Sequence, residues 1–425
     1  MTALNSTFNS GAAPPPPPQW SGQASPFMEP AKAPWVKPGV VVHDPGQPVD
    51  GLLAEFALSI RSRGFQVAGF VQGNHHGHAD KTQPIELLDL ASGQHSTMER
   101  EAGLHDLPWF AATQSSLRQA MKNDADLMVV SRFSALEKAS TDLKARVEDG
   151  ISDGMPVLTS IASSCLGKWR AFAGPRGTMI EPELNALWRW WGTDRLYRDL
   201  TLGVSHGEVK RLVCGPRWLM IEGPDGAGLA YLPKFPKSLL PRLDAMRKMS
   251  LRQLAEYSQS WDPLEMAVGI AAINAHYNRF DLAAARGNGT RAFQGENGRV
   301  VVVGAFPGLK ATLPNALVIE SEPRDGEYPT AAIDTLMPGC AAAVVTSSAL
   351  INRSLPRILT GAWGARVALI GPATPMTPRL YDYGVELLGG LVVRDPAGLA
   401  VAVEGGALPR DFDRFGHYAH IRRSR

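Results

Sequence analysis

The chain from residue 39 to about 192 alternates short apolar runs with amphipathic stretches. The first run, GVVVH at 39–43, is typical of a buried strand, and the stretch 49–63 carries apolar residues at helical spacing. These apolar residues are Leu52, Leu53, Phe56, Ala57 and Ile60. The later runs predict strands at 65–71, 85–90, 126–131 and 156–161, with helices at 114–123 and 142–149. This alternation predicts a mainly parallel α/β sheet.

The pattern changes twice in the rest of the chain. Between 193 and 284 a group of short strands precedes a group of helices, which predicts a small α+β domain. Its strands are predicted at 208–214, 218–222 and 228–232, and its helices at 250–258 and 263–277. From 299 to 425, Val-rich runs of the kind buried on both faces of a parallel sheet predict a doubly wound domain. These runs lie at 299–304, 316–320, 341–346, 366–371 and 390–394.

Two segments rich in proline or glycine separate these predicted domains. Residues 1–38 contain nine prolines, five of them consecutive at 14–18, and we predict a disordered leader there. Residues 285–298 contain Gly287, Gly289, Gly295 and Gly298, and we predict a linker. The predicted folded parts are therefore 39–192, 193–284 and 299–425.

Composition excludes several classes of protein. The 43 Lys and Arg residues nearly balance the 41 Asp and Glu residues, which argues against a nucleic-acid partner. Three widely spaced cysteines encode neither a disulfide framework nor a thiolate zinc site, so we expect a reducing, cytoplasmic location. No run of about 18 apolar residues occurs, and we expect no membrane insertion. A homo-oligomeric state stays open.

The first loop, DPGQPVD at 44–50, lies where a phosphate-binding loop would be expected. Such a loop needs a lysine followed by Ser or Thr, but no lysine occurs between Lys37 and Lys81. Asp44 and Asp50 would also oppose a phosphate at the helix start. We therefore expect no conventional ATP hydrolysis and interpret Asp50 as an N-cap or first-turn acid.

A histidine-rich loop, GNHHGHAD at 73–80, is a candidate metal site. Neutral imidazoles from His75, His76 and His78, with the carboxylate of Asp80, are competent ligands for zinc, nickel or copper. The alternative is a solvated surface loop without metal.

A second candidate site is predicted at the carboxyl ends of the strands in the final domain. Ligands of open parallel sheets bind at that edge, where the strand order reverses. The loops at 304–308, 320–329, 346–352 and 371–377 would present oxygens and one guanidinium there. The residues are Phe306, Glu320, Glu322, Arg324, Thr346, Ser347, Asn352, Gly371 and Thr374. They could hold a polar cofactor or a chelated ion, or they could only cap helices and form turns. The first of these four loops, at 304–308, lacks the GxGxxG motif, so the sequence does not indicate a nicotinamide or flavin dinucleotide.

Long motifs between about residues 202 and 406 point to a family. They are LGV at 202–204, GAGL at 226–229, SWDPLEMAVGIAAIN at 260–274, and the loops with GAFP, ESEP, VVTSSALIN and GPATPM. With these motifs the C-terminal half resembles the family named "putative heavy-metal chelation", which couples an enolase N-terminal-like domain to a Rossmann-like domain. The resemblance implies that Glu265 and Asn274 face the cleft between those domains. Nine residues apart on one helix, they point in opposite directions, so we expect one of them to be structural.

The segment from about 40 to 191 resembles an uncharacterised bacterial domain related to nucleoside-triphosphatases and often associated with molybdenum-transport genes. The motifs are VVVHD at 40–44, GFVQ at 69–72, LDLASG at 88–93, DLMVVSRF at 126–133, PVLT at 156–159 and WRAFAG at 169–174. DLMVVSRF stands where a P-loop protein has its acidic Walker B strand. The resemblance therefore implies a degenerate P-loop-like domain.

These observations lead to a functional hypothesis with two alternatives. We expect a metal-handling protein that binds a transition metal, a metal oxyanion such as molybdate, or a metal chelate in the cleft of its C-terminal half. The cofactor is otherwise unknown. Replacing Glu322 or Asn352 by Ala should then lower binding. One alternative is an enzyme of small-molecule or cofactor metabolism that uses the same cleft, with Glu322 or Glu265 as acid or base. The other is a regulatory or scaffold protein whose proline leader and degenerate nucleotide-binding domain recruit partners.

Overall fold

The computed structural model describes residues 38–44, 47–73, 85–98, 125–133, 141–152, 154–174, 177–233 and 241–424. Three predictions fall outside these residues: the leader up to residue 37, the histidine loop with His75, His76 and His78, and the helix at 114–123. They stay predictions.

The N-terminal sheet is built from seven strands in the described residues, in the order β4-β3-β2-β5-β6-β1-β7. Strands β2, β5, β6, β1 and β7 are parallel, and β3 and β4 extend the sheet antiparallel at one edge. Apolar residues of α1 pack on one face, and α2 and α3 cover the other. The strands are β1 Gly39–His43, β2 Val67–Gly73, β3 Ile85–Asp89, β4 His95–Met98, β5 Leu127–Val130, β6 Val157–Ala162 and β7 Thr178–Ile180. The helices are α1 Val49–Ser62, α2 Thr141–Ser152, α3 Leu166–Ala173 and α4 Leu184–Trp191.

A three-stranded antiparallel sheet, in the order β10-β9-β8, and a group of helices form the middle of the chain. The long helix α8 packs on β9 and β10 and is buried almost all round. Two residues of the sequence determine where this helix starts. The Asp262 side chain accepts hydrogen bonds from the N–H groups of Leu264 and Glu265, and Pro263 occupies the first turn. The elements are α5 Leu196–Leu202, β8 Arg211–Cys214, β9 Trp218–Glu222, β10 Ala227–Tyr231, α6 Pro241–Met246, α7 Leu251–Glu256 and α8 Pro263–Tyr277.

The C-terminal sheet has eight strands in the described residues, in the order β11-β18-β17-β16-β15-β12-β13-β14. The chain runs outward from β12 through β13 to β14, then returns to β15 and runs the other way through β16 to β17, all parallel. The strands are β11 Ala285–Arg286, β12 Val300–Val303, β13 Leu317–Glu320, β14 Tyr328–Pro329, β15 Ala342–Thr346, β16 Arg366–Ile370, β17 Val385–Val393 and β18 Gly416–Arg422. The helices are α9 Leu309–Thr312, α10 Ile333–Leu336, α11 Ser348–Ile351, α12 Leu355–Gly361 and α13 Pro396–Glu404.

The predicted α/β class is confirmed, with two mixed sheets and a smaller antiparallel one between them in sequence. The predicted linker at 285–298 contributes to the C-terminal sheet: β11 pairs with β18, and Phe293 is buried in the core. None of the helices in the described part of the chain has the length and apolar character needed to cross a membrane.

One buried polar junction joins all three parts of the chain. Asp199, on α5, is fully buried and accepts hydrogen bonds from Arg63 at 2.5 Å and Arg379 at 2.5 Å. The Tyr383 hydroxyl donates to the same carboxylate at 3.0 Å. Arg63 follows α1 and also pairs with Asp382, so the junction ties the N-terminal sheet to the segment after β16.

Candidate functional site

The candidate site lies at the carboxyl edge of the C-terminal sheet, beside β12. The chain leaves β12 toward β13 on one side and leaves β15 toward β16 on the other, so the strand order reverses between β12 and β15. Loops diverge from such a point and leave room for a ligand. We call the residues that meet here, Gly304, Glu320, Thr346, Ser347 and Gly371, the switch-point cluster.

Two glycines let the loops of this cluster approach each other closely. Gly304 has φ 84°, and a Cβ there would lie 1.9 Å from the Thr346 hydroxyl. Gly371 has φ 128°, and a Cβ there would lie 2.5 Å from the Ser347 hydroxyl. Only glycine fits both the left-handed backbone and the space at these two positions.

Hydrogen bonds fix the side chains of Thr346 and Glu320 in the switch-point cluster. The Thr346 hydroxyl donates to the Val303 carbonyl at 3.1 Å and shares a hydrogen bond with Ser348 at 2.8 Å. One carboxylate oxygen of Glu320 accepts from the Ala305 N–H at 2.5 Å. The cluster therefore combines hydroxyl groups, a carboxylate and glycine backbone within one edge.

Four predicted site residues lie farther out on the same loops. Phe306 is half-buried against the core below β12, whereas Glu322, Arg324 and Asn352 are exposed. The Arg324 N–H donates to Glu327 at 2.9 Å. The carboxamide oxygen of Asn352 accepts from the N–H of Ser354 at 3.0 Å and from its hydroxyl at 2.6 Å. Arg324 and Asn352 thus shape local turns.

Asn274 and Thr374 are both fully buried where α8 meets the loop after β16. The Asn274 amide donates to the carbonyls of Leu229 at 2.8 Å and Ala373 at 2.9 Å. The Asn274 carboxamide oxygen and the Thr374 hydroxyl find no partner within the described residues. Through its hydrogen bond to Ala373, Asn274 fastens the helix to the loop. Since Asn274 and Thr374 are both sealed from solvent, neither lines an open hollow.

Glu265 lies on the first turn of α8, away from Asn274 along the helix. It forms an ion pair with Arg242 and accepts a hydrogen bond from the Ser260 hydroxyl at 2.5 Å. The two helix residues thus have separate surroundings, as their spacing predicts. Of the predicted site residues, Glu320, Thr346, Ser347 and Gly371 belong to the switch-point cluster, whereas Glu265, Asn274 and Thr374 lie in other surroundings.

Arg353 is a residue that sequence reasoning did not single out. It has φ 58°, which is uncommon for a residue with a side chain, and donates to the carbonyls of Ser258 at 3.1 Å and Ser260 at 3.0 Å. Its guanidinium stacks on Trp261 at 4.4 Å, and burial lowers its pKa. No local pattern could reveal it, because its partners lie more than 90 residues earlier in the chain.

No group of three or more His, Cys, Asp or Glu side chains suited to a metal ion occurs among the residues that the structure describes. The histidine loop lies outside those residues, and its metal-binding role stays a prediction.

Two family models match the C-terminal half. Residues 197–277 and residues 292–422 match two family models that carry the same description, "Putative heavy-metal chelation". The C-terminal half therefore carries both putative heavy-metal chelation domains. This confirms the family resemblance found in the sequence motifs.

Two solved structures are similar to this half. One is a protein of unknown function from the DUF364 family of Desulfitobacterium hafniense, 28% identical, with a TM-score of 0.50 over 55% of this chain and 98% of that chain. The other is a DUF364 protein of unknown function from Pyrococcus horikoshii, 19% identical, with a TM-score of 0.47 over 54% of this chain and 99% of that chain. The first supports the α/β fold of the C-terminal half.

The N-terminal part has its own relatives. Residues 39–190 match the model of a family described as "Protein of unknown function (DUF2478)". A curated protein of Bradyrhizobium diazoefficiens, "Molybdenum import ATP-binding protein ModC 2", is 27% identical over 157 residues. That alignment covers 36% of this chain and only 18% of the relative. These matches fit a P-loop-like N-terminal domain, and together the comparisons support a metal-related function in general.

Proposed function

We propose that the C-terminal half binds a metal oxyanion or a metal chelate at the switch-point cluster, as part of a metal-handling protein of the cytoplasm. The observation that carries the proposal is the close approach of the glycine loops to the Thr346 and Ser347 hydroxyls at the point where the strand order reverses. The family description supports a metal-containing ligand. The cytoplasmic location rests on the cysteine usage of the sequence.

The donor atoms favour a ligand rich in polar oxygen. The Thr346 and Ser348 hydroxyls can each donate and accept, and the Glu320 carboxylate can accept. Oxygen ligands coordinate hard metals, whereas soft cations prefer thiolate or imidazole. Hydroxyl groups can also donate hydrogen bonds to metal-bound oxygens. We propose molybdate as the first oxyanion to test, because the ModC relative is named for molybdenum import.

Isothermal titration of the full chain tests this proposal. Molybdate, nickel chloride and the nickel complex of nitrilotriacetate are the three probes. The Thr346→Val variant keeps the side-chain shape and removes the hydroxyl. When the ligand binds, the Thr346 proton would turn from the Val303 carbonyl to the ligand. Loss of this hydrogen bond to a charged ligand should weaken binding by about tenfold or more, with circular dichroism unchanged.

A second variant separates the two ligand classes. Glu320→Gln removes a negative charge, so it should strengthen molybdate binding but weaken binding of a chelate whose metal the carboxylate contacts. Glu404→Gln, on the exposed end of α13, is the matched control and should bind like the wild type. Glu322→Ala and Asn352→Ala should give smaller losses, because both side chains are exposed.

The proposal is contradicted if no probe binds, or if a folded Thr346→Val variant binds every probe as tightly as the wild type. Turnover of an organic ligand with a pH-dependent rate would instead favour the enzyme alternative.

A further inference from the structure

The first loop of the N-terminal sheet and the end of β5 carry charges opposite to those of a nucleotide site. In P-loop proteins a lysine at the start of the first helix meets the phosphates, and an aspartate at the end of a neighbouring strand helps hold magnesium. Here Asp50 occupies the first turn of α1, and Ser131 and Arg132 follow β5. The acid and the base have exchanged places.

These three residues form a closed cluster. The Asp50 carboxylate is buried and accepts from the Ser131 hydroxyl at 2.6 Å. Its other oxygen accepts from the Arg132 guanidinium at 2.8 Å. Arg132 has φ 62°, a backbone conformation that side-chain-bearing residues rarely adopt and that surrounding contacts must enforce.

Ser160 adds an independent sign of a ligand position. It is 1% exposed, and its hydroxyl has no partner among the described residues. Val130 of β5 pairs with Thr159 of β6, so the next residues along, Ser131 and Ser160, lie side by side. Leu158, two residues earlier on β6, packs in the core that α1 covers, which places Ser160 on the face beneath the start of α1.

The start of α1 also favours an anion. Its N-cap is Pro48, whose side chain accepts no hydrogen bond from the first N–H groups of the helix. Such groups attract negative charge. Guanidinium, hydroxyl and helix N–H groups are the donors that bind phosphate oxygens, and a carboxylate offers the same kind of acceptor.

We propose that this region is a latent oxyanion site whose occupant is the carboxylate of Asp50. Asp50 takes the position of a phosphate group against Arg132 and Ser131, so the domain keeps its P-loop-like scaffold without binding a nucleotide there. Removing the negative charge of Asp50 frees the donors, and the site then accepts a phosphate-type oxyanion.

Titration of the full chain with pyrophosphate and, separately, with ATP tests this proposal. The variants are Asp50→Asn, Asp50→Ser, the double variant that combines Asp50→Asn with Arg132→Ala, and Arg132→Ala alone as a folding control. We expect no saturable binding by the wild type and at least a tenfold gain in affinity for pyrophosphate in the single variants. The double variant should lose that gain. Equal gains for ATP and pyrophosphate would show that the phosphates alone are recognised.

Three results would overturn the proposal. Saturable binding of either probe by the wild type, competed by the other, would mean that Asp50 does not block the site. A folded Asp50 variant without any gain would mean that no oxyanion site exists. Unfolding of both single variants while Arg132→Ala stays folded would make the Asp50 carboxylate a purely stabilising group.

Discussion

Neutralising Asp199 should destabilise the whole molecule. Asp199→Asn removes the only negative charge that the Arg379 guanidinium contacts within the described residues, and one of two for Arg63. The side chains of Arg63 and Arg379 are only 10% and 21% exposed, so water cannot replace the carboxylate fully. Breaking a buried ion pair costs about 3–5 kcal/mol.

The structure places Asp199→Asn near the lower end of that range. Arg63 keeps its pair with Asp382, and Arg379 still donates to the Asp199 carbonyl at 3.0 Å. We therefore expect a loss of about 3 kcal/mol in the free energy of unfolding. Urea titration followed by tryptophan fluorescence reports it directly, because Trp188 lies 4.5 Å from Arg63.

The control is Asp334→Asn, an exposed carboxylate paired with the exposed Arg357. It should leave the urea midpoint unchanged. Circular dichroism must follow the same transition as fluorescence for a single free energy to be assigned. A loss of less than about 1 kcal/mol for Asp199→Asn would refute the reasoning, since that is an ordinary surface effect.

Two further predictions concern pH and packing. Burial, with Arg279 and Arg379 nearby, lowers the pKa of His276 in the folded state. The unfolded chain then binds more protons, so the free energy of unfolding should fall as pH drops through and below 6.5. The urea midpoint of His276→Gln should therefore fall less between pH 7.5 and 5.5 than that of the wild type. A Cβ at Gly228 would lie 2.2 Å from the Ala271 carbonyl of α8, so Gly228→Ala should cost about 1–3 kcal/mol in a urea titration, whereas Gly51→Ala, with open space, should gain about 0.5–1 kcal/mol. The same change in urea midpoint with pH for His276→Gln and the wild type would contradict the first prediction. An unchanged free energy of unfolding for Gly228→Ala would contradict the second.

The elements that bury a continuous apolar sequence could be predicted from the chain alone. The run Val300–Val303 is buried at every position, and α8 begins at the Asp262 and Pro263 signals. Strand β18, Gly416–Arg422, was missed, because only Ala419 is buried and pairing with β17 supplies its stability. Its sequence therefore lacks the apolar pattern that a strand search detects.

The candidate site could be predicted only as a set of loops. Strand ends indicated that Glu320, Thr346 and Gly371 would share one edge, because parallel strands end together. That Asn274 is sealed by Ala373 depends on packing between residues 99 positions apart. Likewise, the sequence indicated a first-turn role for Asp50 but not its bond to Ser131, 81 positions away.

Elemental analysis of untagged protein from its native host tests the central claim most directly. The account predicts a transition metal or molybdenum in near-stoichiometric amount in the wild type, and its loss from a folded Thr346→Val variant. Wild-type protein without metal above background, or a variant that retains the same amount, would contradict binding at the switch-point cluster.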